Sequence, residues 1–218
     1  MKLKWIGHAC FLATSDEGTK VMNDPYEPGF MGLINYSKIE DKADIISVSH
    51  AHGDHAAVLA VPGQHVVVQG PGTHRVKGVE FNGVSTFHDK VNGKERGQNT
   101  IFCFTVDGIR ICHLGDLGHA LDVSTVAAIG KVDVLLVPTG GPAATMDLPE
   151  AWQVCDAIKP RLIVPMHFKN DKCPFPKYTV DEFIKGKANV KRAGASEVTL
   201  SAGKLPKATE VLILDHAR

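Results

Sequence analysis

The segment Asp44-Ile45-Ile46-Ser47-Val48-Ser49-His50-Ala51-His52-Gly53-Asp54-His55 decides how the rest of the chain is read. Its first half is an apolar, β-branched run of the kind that forms a buried strand. Its second half crowds imidazole and carboxylate groups into a single hexapeptide. With this chain's own His and Asp content, a His-x-His-x-Asp-His string arises by chance on the order of once per thousand such sequences. In an extended segment His50 and His52 project to the same side, because side chains alternate. Gly53 permits a sharp turn, after which Asp54 and His55 are expected to start a helix and face a neighbouring point. One hexapeptide can thus supply two ligands to one metal ion and two to another close by. Imidazole with carboxylate suits Zn, and also Fe, Mn or Co.

Outward from this segment, short apolar runs alternate with Gly, Pro, Asn and Asp. Strands are predicted at 2–6, 9–14, 19–23, 44–49, 65–69, 79–87, 100–106, 109–113, 132–137, 161–166, 197–201 and 209–214. Helices are predicted at 54–60, 121–129, 149–158 and 179–186, with Asp122 and Asp147 available as caps and Pro160 as a stop. Strands dominate, and no Gly-rich phosphate loop of the Rossmann type is present. Asp24, His50, His88, His113, Asp116 and His167 each lie at or just beyond the C-terminal end of a predicted strand. Strand ends are where rigid scaffolds present functional groups, so these residues point to one shared site.

The hexapeptide resembles the signature of the metallo-β-lactamase superfamily, and further motifs continue the likeness in order along residues 5–170. Asp24 in Asn23-Asp24-Pro25 resembles the acidic residue that braces the metal loop. His88 in Thr86-Phe87-His88-Asp89 resembles the third histidine of the first metal site. Asp116 in His113-Leu114-Gly115-Asp116 resembles the carboxylate that bridges both metals, and His167 in Pro165-Met166-His167-Phe168 the last histidine, on the second. Gly7-His8-Ala9, Arg96-Gly97-Gln98-Asn99-Thr100 and the Pro-Met-His ending are similar to the Zn-dependent hydrolases related to ascorbate-phosphate lactonase. The resemblance implies an α/β fold, a metallo-β-lactamase-like four-layer αβ/βα sandwich, occupying residues 1–218 as a single domain with metals at the edge between two sheets. It implies two divalent metal ions, zinc first and Mn or Fe as alternatives, held by His50, His52, Asp54, His55, His88, Asp116 and His167. Asp116 stands where many true β-lactamases of the superfamily place a cysteine, which argues against antibiotic hydrolysis. The chain also lacks room for the arm with which the superfamily's RNA nucleases hold their substrates.

The bulk numbers narrow the function classes. Lys+Arg and Asp+Glu both number 24, so the formal net charge is zero, which argues against nucleic-acid binding as a main task. No apolar run approaches a membrane span, and the N-terminus carries no secretory stretch. Five scattered cysteines without a Cys-x-x-Cys pair read as reduced thiols. A cytoplasmic place is therefore expected, with a small-molecule substrate as partner, no membrane, and a homo-oligomer compatible with the sequence.

The chemistry expected is hydrolysis of a small ester, lactone or phosphodiester by water that two ions sharing Asp116 make acidic. Asp54 is the candidate that orients this water. His113 and His119 are the candidates for protonating the leaving group, and His8 for bracing a ligand from behind. Lys169, Asn170 and Arg96 are candidate contacts for an anionic substrate. His88 rather than His113 is assigned to the first metal, because a ligand from a separate strand better completes coordination begun by one loop. Two other classes compete: an iron-dependent oxidoreductase on the same ligands, and a non-catalytic metal-binding regulatory protein.

Overall fold

The computed structural model describes residues 1–142 and 144–218. A first sheet is built from β1 (Lys2–Gly7), β2 (Cys10–Thr14), β3 (Lys20–Asn23), β4 (Ile45–Val48), β5 (Val66–Gln69) and β13 (Glu197–Thr199), in the order β13-β1-β2-β3-β4-β5. The second contains β6 (Gly72–Val76), β7 (Val79–Phe87), β8 (Gln98–Val106), β9 (Ile109–His113), β10 (Val134–Pro138), β11 (Leu162–Met166), β12 (Val190–Arg192) and β14 (Glu210–Ile213), in the order β12-β14-β11-β10-β9-β8-β7-β6. In each sheet, antiparallel hairpins pass into a parallel half: β3, β4 and β5 run parallel, as do β9, β10, β11, β14 and β12.

Period-two alternation divides the first sheet between two cores. Leu3, Phe11, Val21 and Ile45 join Phe102, Phe104, Ile111 and Leu135 in the main apolar cluster. Their neighbours Cys10, Leu12, Met22 and Ile46 face outward into a second cluster with Tyr26, Ile34, Tyr36 and Ile39. Both faces of β4 are therefore covered, which is why Ile45, Ile46 and Val48 put apolar side chains on both faces rather than alternating with exposed polar ones. The cover on this outer face is the 24–43 loop, not a helix. The helices serve the second sheet. Helix α1 (Val123–Ile129) lies against β7 and α2 (Leu148–Ile158) against β10, while Phe183 of α3 (Val180–Ile184) stacks on Trp152. Asp122 caps α1 through the Thr125 N–H, and Asp147 caps α2 in a reciprocal box with Glu150.

The mixed α/β sandwich agrees with the expected class, and three local expectations are corrected. No helix spans 54–60: residues 53–55 form a turn, and only Val58–Ala60 makes a single 3-10 turn. The Ala57 N–H goes instead to Pro25 O, tying this segment to the loop after β3. Strands β6 and β12 were not foreseen. Both sit at sheet edges and are rich in exposed polar residues, so neither shows the apolar run that identifies interior strands.

At one end of the sandwich the two sheets are hydrogen-bonded to each other. Thr100 N–H donates to Ser49 O at 2.9 Å and His167 N–H to His8 O at 3.2 Å. His113 Nε2 meets Ala9 O at 2.9 Å, while its Nδ1 accepts the Gly115 N–H at 3.1 Å. These contacts fix the Nε2–H tautomer of His113. Its replacement by Ala leaves a buried carbonyl and a buried N–H without partners, for an expected stability loss of about 1–3 kcal/mol. Denaturant unfolding measures it, and an unchanged midpoint would show that the stitch carries no weight.

Candidate metal centre

The stitched end gathers the polar residues singled out in the sequence. His50, His52 and His88 place ring nitrogens within 4.8 Å of one another, and a second group with the same spacing joins Asp54, His55, His167 and His8. Asp116 lies between the groups. Its Oδ2 is 3.2 Å from His55 Nε2, 3.2 Å from His88 Nε2 and 3.3 Å from His167 Nε2. His113 belongs to neither group.

Each ligand-bearing loop is held from behind. Asp24, 1% exposed, accepts the Ser49 N–H at 2.8 Å and the Ser49 hydroxyl, and its Oδ2 takes the His55 Nδ1–H at 2.9 Å. Ser49 Oγ, having given its proton to Asp24, accepts from His50 Nδ1 at 2.9 Å. One carboxylate thus fixes the tautomers of two histidines, one in each group, and turns both Nε2 atoms toward Asp116. Buried Asn99 holds the other side. Its Oδ1 accepts the Asp116 N–H at 3.0 Å, while its amide donates to Thr86 Oγ1 and Leu114 O. Gly115 (φ 57°) is obligatory here, since a Cβ would stand 2.3 Å from Asn99 Oδ1. Gly53 serves close approach instead of an unusual φ: its missing Cβ leaves room for the Phe30 ring, which it would otherwise meet at 2.4 Å. Ser49 and Asn99 were not recognised from sequence; the Asn99-Thr100 end of the Arg96 motif was the available signal.

The expectations for the outlying histidines divide. His8 stands where it can brace the candidate ligand Asp54: its Nε2 is 3.2 Å from Asp54 Oδ2, and its Nδ1 is 3.6 Å from the Cys173 thiol. Proton donation by His113 or His119 does not agree with the geometry. Both His113 nitrogens are engaged by backbone. His119 Nε2 accepts the Phe87 N–H at 3.3 Å and its Nδ1 donates to Ala120 O at 2.8 Å, beside a separate cavity. All five cysteines are buried and unpaired.

The residues fit metal ions by their chemistry. His50 Nε2, His55 Nε2, His167 Nε2 and Asp116 Oδ1 are buried without a hydrogen-bond partner, an arrangement that proteins retain where a cation completes the set. Burial, with the His55 ring close by, pushes His50 down to about 3; burial and the His167 ring push His8 down to about 4. Both are neutral bases near pH 7. Burial also opposes charge on His55, but Asp116 and Asp54 outweigh it and hold this imidazole well above its ordinary value. Asp116 stays ionised against burial because His167 and His55 face it. Above the ligands opens a cavity of about 300 Å³ floored by His52, Asp54, His88, Asp116 and His167.

Comparison with known proteins gives the family. The beta-lactamase superfamily domain matches residues 2–167. A UPF0173 metal-dependent hydrolase from Carboxydothermus hydrogenoformans is 33% identical over 195 residues, spanning 77% of this chain and 84% of the relative. A UPF0173 protein from Pyrococcus furiosus is 34% identical over 190 residues, spanning 77% and 83%. A crystal structure from Thermotoga maritima, assigned by name to the Zn-dependent hydrolases of the metallo-beta-lactamase superfamily, superposes with a TM-score of 0.80 at 36% identity, covering 98% of this chain and 97% of that one. The chain belongs to the metallo-beta-lactamase superfamily, in its branch of metal-dependent hydrolases. Among the described residues no helix is long and apolar enough to cross a membrane.

Two outcomes are expected. Asp24→Ala releases His55 and the Ser49–His50 link together, and metal affinity should fall about 10–100-fold; competition with a chromogenic chelator measures it, and wild-type affinity would remove the brace. The metal-free protein should lose stability as pH falls. The unfolded chain's histidines take up protons near 6.5, whereas folded His50 and His8 refuse them until about 3 and about 4. Between those limits the unfolded state binds more protons, so stability declines on acidification. The contribution of His55, whose folded value is raised, is already complete below 6.5 and does not offset this. Melting temperatures at about pH 7 and about pH 4.5 test the sign, and a flat or rising trend contradicts it.

Proposed function

We propose that the chain is a dinuclear hydrolase, with zinc as its ordinary metal, that opens a small ester, lactone or phosphodiester. The observation that carries this reading is Asp116, whose Oδ2 stands within 3.3 Å of imidazoles from both ligand groups while its Oδ1 has no partner. When bound, a pair of divalent ions supplies an acidified water and a Lewis acid for the substrate's oxygen. The chain's own groups do the rest. Asp116 joins the two ligand groups, so displacement at one is felt at the other. Asp54 lines the cavity and has Oδ2 held by His8, which leaves Oδ1 to orient the attacking water and receive its proton. Asp24 and Asn99 act only through the ligands they position. The cavity's size, about 300 Å³, suits a small molecule.

Elemental analysis of protein made with ample metal should approach two ions per chain. Seven candidate ligands exceed what one tetrahedral ion takes, and saturation at one ion would remove the shared-carboxylate reading. Asp116→Ala should abolish turnover of an activated ester, a lactone or bis(p-nitrophenyl) phosphate, whichever the wild type accepts, and should lower metal content. Activity within a few-fold of wild type would show that Asp116 does not join the sites. Iron as the sole retained metal, with oxygen consumption and no hydrolysis, would favour an oxidoreductase. Efficient hydrolysis of a carbapenem or cephalosporin would overturn the substrate class.

A further inference from the structure

The cavity above the metal ligands has two unlike ends. On one side the loop after β3 supplies Phe30, Met31, Leu33 and Ile34, and Phe175 closes the wall. Met31 is 77% exposed and Leu33 39%, large apolar groups left facing solvent at the mouth of a site. Phe30 is fixed over the metal loop by its contact with Gly53. The Phe175 ring lies 5.6 Å from that of His167, so the apolar wall adjoins the second ligand group.

The other end is Arg96. It lines this cavity and also the neighbouring groove formed with His50 and His52, which places it beside the first ligand group. Among the described residues its guanidinium has neither an ion-pair partner nor a hydrogen-bond acceptor, in contrast to nearby Lys90, which pairs with Glu150 at 2.7 Å. The loop presenting Arg96 is rigidly made. Asp89, next to ligand His88, accepts the backbone N–H groups of Val91, Gly93, Glu95 and Arg96 at 2.8–3.0 Å. The His88 N–H closes the loop onto Gly97 O at 3.1 Å. One buried carboxylate is thus spent on holding a cation at a fixed place by the metal ligands. A half-buried, unpaired guanidinium so placed is a receptor for an anion.

We infer that the substrate is a small amphiphile carrying one anionic group, a carboxylate or a phosphate monoester, which Arg96 binds while an apolar chain or ring lies along Phe30, Met31, Leu33 and Phe175. The scissile bond then falls between the two ends, over the ligand floor. This inference rests on the hydrolytic reading for the word substrate, but its binding chemistry stands apart from turnover.

The test is therefore binding, by calorimetry on protein whose metal content is measured before and after. The probes are 4-phenylbutyrate, 4-phenylbutyl phosphate, 4-phenylbutan-1-ol and acetate. Both aryl anions should bind about tenfold or more tighter than the alcohol, as a charge-assisted contact provides, and 4-phenylbutyrate should likewise exceed acetate. Arg96→Gln, with unchanged metal content, should abolish the preference over the alcohol, and Arg96→Lys should restore part of it. A preference shared by the two anions assigns Arg96 to anions generally, and a preference for one names the headgroup. Equal affinity for alcohol and anions, or a preference that survives Arg96→Gln because the metals themselves hold the anion, overturns the assignment. Acetate binding as tightly as 4-phenylbutyrate overturns the apolar arm. A confirmed preference without hydrolysis of any corresponding ester would leave this inference standing and count against the hydrolytic reading.

Discussion

The carboxylate of Asp24 is the contact on which the site depends. It sits beyond the end of β3, wholly buried, and spends its oxygens on Ser49 and His55. Through Ser49 it also orients His50. Remove that charge and the loop after β4 loses both the hydrogen bonds that shape it and the electrostatic reason for its histidines to hold one tautomer. The parallel pairing of β3 with β4 places Asp24 within reach of this loop, so sheet topology and ligand chemistry meet in one residue.

Three residues at this centre also carry backbone strain. His8, Asp24 and His167 have φ of 53°, 43° and 51°, a region that costs non-glycine residues of order 1–3 kcal/mol each. All three follow the ends of strands and aim a side chain into the centre. The main core and the hydrogen bonds between sheets hold them there. The edge strands β6 and β12 are polar and exposed.

What was legible in the sequence was whatever chemistry concentrates locally. The hexapeptide 50–55 announced its candidate ligands because four side chains able to bind metal seldom fall so close together, and the strand ends at His88, Asp116 and His167 placed the other candidates near them. Less legible was whatever depends on distant chain segments meeting. Asn99 is an ordinary strand residue until β8 brings it beneath Gly115-Asp116. Phe30 and Phe175 form one wall only because the 24–43 loop folds back across the first sheet. His113 and His119 looked like proton donors by their proximity to Asp116 along the chain, yet each is engaged at both ring nitrogens by backbone groups, one of them from a distant segment: Ala9 for His113 and Phe87 for His119. The helix foreseen at 54–60 failed because the N–H groups there are taken by the turn and by the Pro25 carbonyl, and because Asp54 is turned toward His8. Local spacing reports which groups are present; tertiary hydrogen bonding decides which have a nitrogen to spare.

The central claim is that two metal ions share Asp116 while Asp24 and His113 remain outside their coordination. Anomalous diffraction from metal-loaded crystals addresses it most directly. The account predicts two peaks, one bounded by His50, His52 and His88 and one by Asp54, His55 and His167, with the Asp116 carboxylate reaching both and Asp24 still bonded to Ser49 and His55. A single peak, or a peak ligated by Asp24 or His113 in place of Asp116, would contradict it.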